Sequence, residues 1–231
     1  MTARSAVLVT TSVARIPGTN RSTGAYASEL AESWSVLRAA GFEVHVASVA
    51  GGTVPVEAFN EGDPTQAAMF ADAQMVARLQ QTRRPDEVVG ADHDVLVLVG
   101  GHGAVYDLAD DDGVARLVSE VFAAGGVVVS VCHGAAGLLR ATGSDGAALL
   151  AGRRVAAFSD DEEHAVGMLA VVPFLLSERL TGRGAVHDVG PSFLPHVVED
   201  GRLVSGQNPA STADAVAAAV RLAIAAPIAA G

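Results

Sequence analysis

Cysteine is almost missing: there is one, Cys132, in 231 residues. A disulfide within the chain is therefore excluded, and so is a zinc site built from several cysteines. Aromatic residues make up only 4%, with a single tryptophan. Basic residues are also few, 15 against 26 acidic ones, for a formal net charge of −11. So acidic a chain lacks the positive footprint that sequence-independent nucleic-acid binding requires. It is equally unsuited to docking on an anionic membrane. Long hydrophobic runs are absent as well. Met168–Leu176 is far too short to cross a bilayer, and the alanine-rich tail from Ala213 is broken by Asp214, Arg221 and Pro227. The N-terminal residues contain no apolar stretch long enough for a signal peptide. A soluble cytoplasmic protein is expected, since a lone thiol suits a reducing compartment.

What is present is material for a core. Half of the residues are apolar, which excludes global disorder. The length suits one α/β domain, and residues 1–231 read as a single one. Ser5–Thr11 is a β-rich run. Thr23–Ala40 has Ala27, Leu30, Ala31, Trp34 and Leu37 at helical spacing, with Gly41 as its stop. Phe42–Ser48 alternates like a strand, and the Gly- and Pro-containing stretch Ala50–Asp63 reads as a loop insertion. Thr65–Gln81 predicts one helix, with Asp72 at the edge of its apolar stripe. Asp94–Val99 and Val127–Val131 are nearly continuous apolar runs, as in parallel strands covered on both faces. The helix predicted at Asp111–Ala124 lies between them, and another is predicted at Ala135–Ala141. Further strands are expected at Arg153–Phe158, Ala185–Val189 and Pro195–Ser205, with a hairpin turn at Asp200-Gly201 and a last helix from Pro209. This alternation predicts a doubly wound, mostly parallel sheet.

The main chemical signal is Val127-Val-Val-Ser-Val-Cys-His-Gly-Ala-Ala136. An apolar strand, a small turn and a helix are the parts of a nucleophile elbow. The elbow would place Cys132 at the carboxyl end of the strands, where open α/β sheets bind ligands. A helix N-terminus there would lower the thiol pKa. The backbone N–H of His133 would stabilise an oxyanion. The ordinary alternative, a buried inert cysteine, does not account for the Cys-His-Gly turn that follows. The second signal is Gly100-Gly101-His102-Gly103 after the DVLVLV strand, whose glycines let backbone N–H groups approach a ligand. It is not a P-loop, and the dinucleotide fingerprint fails because Tyr106 stands where a third glycine belongs.

Glu29 lies off the apolar stripe of its helix, so a solvated carboxylate is the default for it. Beside a thiolate it would instead be held protonated and could shuttle a proton. Asp160, Asp161, Glu162 and Glu163 follow a predicted strand. A solvated helix start is their ordinary role, and one of them could instead orient His133. His102, His164 and His187 show no metal-ligand spacing, so no metal is expected.

Taken together, Thr23-Gly24 with Glu29, Gly100–Ala104 with Asp107, Val131–Gly134, Phe158 with Glu163–Gly167, Val172–Leu176 and Gly206–Ser211 resemble the ThiJ/PfpI superfamily, related to class I glutamine amidotransferases. The resemblance covers nearly the whole chain and is narrowest to the glyoxalase III-like branch, which includes chaperone-like members. It implies a flavodoxin-like three-layer sandwich with Cys132 as nucleophile and Glu29 against it. Gly101 and His133 then supply the oxyanion N–H groups, with Gly100 and His102 beside them at the substrate. Glu163 is the acid paired with His133, or Asp160 if the pattern of another subgroup holds. Tyr26 and Ser28 stand where tryptophan and a second glutamate are common, which bears on substrate preference.

The implied activity is conversion of methylglyoxal or glyoxal to a hydroxy acid without glutathione or any cofactor, by a homodimer. Repair of early glycation adducts on proteins is implied as well. Two other readings suit the same scaffold. One is a different cysteine hydrolase or hydratase, acting on an amide, a peptide or an isonitrile; the other is a stress chaperone or redox sensor in which Cys132 is oxidised. A glutamine amidotransferase would need a downstream His-x-Glu pair, and His196 has none.

Overall fold

The computed structural model describes residues 4–225. Strand β1, Ser5–Thr10, is buried from Ala6 onward. The short strand β2, Ala25–Tyr26, then leads into helix α1, Ala27–Ala39. The helix starts later than its periodicity predicts, because Ala25 and Tyr26 are extended and pair with Val56 and Glu57. Past its end Gly41 takes the left-handed conformation, φ +82°, that an L side chain resists. Strand β3 is Glu43–Ser48, and β4, Val56–Glu57, lies inside the expected loop insertion.

The single helix expected over Thr65–Gln81 is two, α2 (Pro64–Ala71) and α3 (Ala73–Gln80). Asp72 divides them. Its backbone is extended and its carboxylate accepts the Met75 N–H at 2.9 Å, so the side chain caps α3 instead of continuing α2. Strand β5 is Val95–Leu98, α4 is Ala104–Asp107, and α5, Asp112–Ala123, is capped by Asp111. Strand β6, Val127–Val131, runs into a 3₁₀ turn, Cys132–Leu138, where an α-helix was expected from Ala135.

The strand expected over Arg153–Phe158 shrinks to β7, Arg154–Val155, because Ala156 N–H bonds the Ser205 hydroxyl and leaves the ladder. Helices α6 (Asp160–Ala165) and α7 (Leu176–Gly182) follow. Strand β8, Val186–His187, pairs with β7 apart from the main sheet. Strands β9 (Val197–Asp200) and β10 (Leu203–Gly206) form the hairpin expected at Asp200-Gly201, and α8 is Thr212–Ala225.

The main sheet runs β3-β1-β5-β6-β10-β9. All its pairings are parallel except that of β10 with β9. Counting β1, β3, β5, β6 and β10 in chain order gives the flavodoxin-like order, whose switch point lies between β1 and β5. Right-handed crossovers leave β1 in one direction and β5 in the other, so α1 and α5 cover opposite faces, and α8 packs beside α1. The result is the expected three-layer α/β sandwich. Both faces of β5 and β6 are buried, each Val or Leu side chain contributing about 1.5–3 kcal/mol. Among the described residues no helix is long and apolar enough to cross a membrane.

Candidate active site

Cys132 sits where β6 ends, with φ +55°. A non-glycine residue there costs about 1–3 kcal/mol, which the packing around it must offset. Gly134 makes the turn possible: a Cβ on it would lie 2.2 Å from the Leu98 carbonyl oxygen at the end of β5. The expected elbow is therefore present, built on a 3₁₀ turn. Cys132 as a whole is 3% exposed.

The His133 ring faces two partners. Its Nδ1 lies 3.2 Å from Cys132 Sγ, and its Nε2 lies 2.7 Å from Glu163 Oε1. Burial would raise the Glu163 pKa, but the hydrogen bonds from His102 and His133 outweigh it and hold it at about 2. Glu163 is thus a carboxylate that can only accept. His133 carries its proton on Nε2, and bare Nδ1 accepts from the thiol. Burial lowers the pKa of His133, so the ring is neutral at rest. His102 Nε2 donates to the other Glu163 oxygen at 3.1 Å. The rings of His102 and Phe158 lie against His133 with centroids 4.2 and 4.6 Å away.

On the other side of the sulfur is Glu29, fully buried in the first turn of α1. This reverses the solvated default, because the start of α1 is wedged under the end of β5. The Gly100 N–H donates to Glu29 Oε2 at 2.7 Å, Oε1 has no hydrogen-bond partner, and the carboxyl is close enough to Cys132 to interact with its thiol. Burial lifts the Glu29 pKa to about 8, so the carboxyl holds a proton at neutrality.

Burial and the Glu29 charge also push the Cys132 thiol up, although the N–H groups of His133 and Gly101 pull it down. This corrects the expectation of a thiol ionised in advance by a helix N-terminus. A short 3₁₀ turn offers little dipole, and a buried sulfur loses its hydration. The resting site instead pairs a thiol with a neutral base.

The remaining candidate residues divide. Gly100, Gly101 and His102 line the same site, Gly101 at φ +104°, where a Cβ would strike the Gly24 carbonyl. Asp160 does not take the place against His133; it accepts from the Ser177 hydroxyl at 2.8 Å. Asp161 is exposed. Glu162 caps α6 with Ser159 and accepts the Phe193 N–H at 2.7 Å, a structural role. His164 is exposed and His187 lies near the Ala157 carbonyl, both away from the site.

One residue escaped the sequence reading. Glu57 on β4 accepts the His102 N–H at 3.1 Å, and burial raises its pKa. The only sign in the sequence was an acid after the β-prone Val54-Pro-Val56. A cavity of about 130 Å³, room for roughly four waters, opens beside Cys132 and is lined by Tyr26, Gly101, His102, His133, Phe158 and Phe193 among others. It admits a molecule of a few carbon atoms next to the sulfur. His102, His133 and Glu163 each offer a ligand atom, all within 4.8 Å of one another, so they could hold a metal ion. Spacing could not reveal this, because the three come from different segments.

Residues 22–221 match the DJ-1/PfpI family. The chain belongs to that family. Among DJ-1/PfpI relatives, the glutathione-independent glyoxalase HSP31 of Saccharomyces cerevisiae is 29% identical over 207 residues, 82% of this chain and 84% of that one. Glyoxalase 3 of Candida albicans is 25% identical over 217 residues, 86% of this chain and 90% of that one. Of solved structures, the Rapid Encystment Protein 24 kDa of Francisella tularensis superposes with a TM-score of 0.91 at 26% identity, covering 95% of this chain and 99% of that one. Glyoxalase III of Candida albicans gives 0.86 at 22% identity, covering 95% and 97%, and shares the DJ-1/PfpI fold. The resemblance to this family and its glyoxalase III branch, read from the motifs, agrees with these findings.

Proposed function

We propose that this chain is a glutathione-independent glyoxalase that converts methylglyoxal to lactate and glyoxal to glycolate, with Cys132 as nucleophile. The observation that carries the reading is the sulfur's position between a neutral imidazole and a protonated carboxyl. The relatives named as glyoxalases support it. The sequence contains no lysine, so a side-chain Schiff base with the aldehyde is closed to it.

The thiol gives its proton to His133 Nδ1 as sulfur bonds to the aldehyde carbon. Glu163 steadies the imidazolium, and the N–H groups of Gly101 and His133 face the developing oxyanion. The imidazolium returns the proton to that oxygen, leaving a hemithioacetal. His133 then takes the C1 proton while the Glu29 carboxyl protonates the C2 oxygen, giving an enediol; as the enediol collapses, the imidazolium returns its proton to C2 and the C1 hydroxyl gives its proton back to Glu29. The product is a thioester of the hydroxy acid. Water cleaves it, and one methylglyoxal plus one water become one lactate. No glutathione and no cofactor enter these steps.

The same carbonyl capture extends to early glycation adducts on proteins. A cytoplasmic homodimer belongs to this reading too: a lone thiol nucleophile suits a reducing compartment, and exposed Val189, Phe193 and Leu194 supply apolar surface for a second copy.

The test is lactate formation from methylglyoxal without added thiol, beside a panel of small amides and isonitriles. Wild type is expected to form lactate, and Cys132→Ala to form none. Turnover of methylglyoxal by the alanine variant, or of the amides and isonitriles alone by wild type, overturns the proposal.

A further inference from the structure

We propose that His102, His133 and Glu163 form a binding site for a divalent zinc-type cation, and that an ion bound there switches the catalytic cysteine off. Two imidazoles and one carboxylate are a donor set that first-row divalent ions take, with positions left open for water. A tetrahedral ion with bonds of about 2.0–2.2 Å keeps its ligand atoms roughly 3.3 Å apart. Here His102 Nε2 and His133 Nε2 lie 3.1 and 2.7 Å from the two oxygens of Glu163. The three ligand atoms fall within 4.8 Å of one another. An ion would therefore replace the two hydrogen bonds after side-chain adjustments of about an ångström, outward at the carboxylate and inward wherever the ligand atoms stand further apart.

Access and support are present. The His102 side chain is 20% exposed while that of Glu163 is 6% exposed, so the ion would enter past His102 and end on a shielded carboxylate. Both histidines line the cavity. The His102 backbone is held by Glu57, and the His133 ring is packed against Phe158. Ligands fixed in this way lose little freedom on binding.

The consequence follows from the tautomer. Without an ion, His133 keeps its proton on Nε2 and offers Nδ1 to the thiol. An ion bonded to Nε2 moves that proton to Nδ1, which then faces Sγ as a donor. His133 can no longer take a proton from Cys132 or pass one between carbons. The ion uses the same nitrogen and the same carboxylate that catalysis needs, so binding and turnover exclude each other. The binding half stands on the geometry alone; the inhibition half rests on the proposed glyoxalase reaction.

The experiment titrates chelator-stripped protein with Zn²⁺ alone by calorimetry near neutral pH, with Co²⁺ as a visible-absorption probe. One ion per chain is expected. His102→Ala should weaken binding by roughly tenfold or more, with an unchanged melting temperature showing that the variant is folded. Cys132→Ser should bind as wild type does. No saturable binding, binding that His102→Ala leaves unchanged, or binding lost in Cys132→Ser (a thiol site) each overturns the site. In the activity arm, half-inhibition of wild-type methylglyoxal turnover should match the calorimetric Kd. Full turnover at saturating zinc overturns the switch while leaving the binding result standing. An absence of turnover without zinc counts against the glyoxalase reading and not against the site.

Discussion

His133 Nε2 lies 2.7 Å from Glu163 Oε1, and this contact decides which face of the imidazole meets the thiol. Because Glu163 stays ionised down to about pH 2, it always accepts and the proton always sits on Nε2. Glu163→Gln removes that certainty, since an amide can donate as well as accept. Methylglyoxal turnover is expected to fall by roughly 10²–10⁴-fold. Asp160→Asn, whose partner is Ser177, is expected to leave turnover near wild type. Steady-state kinetics of the two variants checks both statements, and the reverse ranking would mean the wrong acid has been assigned.

Glu29 predicts a trade between stability and activity. Its pKa is raised from 4.5 to about 8, so between those values the folded chain keeps a proton that the unfolded chain releases. Stability therefore falls as pH rises across that window. At pH 7 the penalty is of order 3 kcal/mol. Glu29→Gln keeps the acceptor for the Gly100 N–H and removes the ionisation. It should be more stable than wild type at pH 7 and equal to it near pH 4, while losing most of its turnover. Urea denaturation at the two pH values measures this, and equal gains at both would refute the linkage.

The pH profile of kcat/KM should be shaped by the same groups. Burial lowers His133 from 6.5, so the acid limb should lie below the ordinary histidine range. The alkaline limb should begin near 8, where Glu29 loses the proton it donates. In Glu29→Gln the residual activity should lack that alkaline limb.

Gly134→Ala tests the elbow. The new Cβ would stand 2.2 Å from a backbone oxygen of Leu98, which has no flexible end to yield. A loss of roughly 1–3 kcal/mol is expected, with a larger loss of turnover as Cys132 is displaced. Thermal melts and kinetics together check it; a full-activity variant would show that the turn relaxes freely.

Glu57→Ala should raise KM more than it lowers kcat. Glu57 holds the His102 backbone rather than the reacting atoms, so the loop bearing Gly101 loosens without loss of the base. A fall in kcat alone would place Glu57 in the chemistry itself.

Much of this molecule was legible in one dimension. Apolar runs such as Val127–Val131 are buried strands because four of these five residues are valine, and the hairpin at Asp200-Gly201 is local turn chemistry. Cys132-His133-Gly134 announced the elbow for the same reason: a sharp turn after a buried strand needs a small residue at its tightest point. Local rules failed where two local preferences competed. Asp72 could continue a helix or cap the next one, and it caps.

The tertiary structure decided what depends on distance in space. Glu29 reads as a surface carboxylate on its helix wheel and becomes the most buried acid of the site only when α1 is set beneath β5. Glu163 was chosen over Asp160 by which side of a short helix faces His133. Glu57 and His102 met because a loop folded back onto another strand end. Strand and turn identity follow from neighbours along the chain, whereas protonation state and ligand geometry follow from burial and from partners tens of residues away.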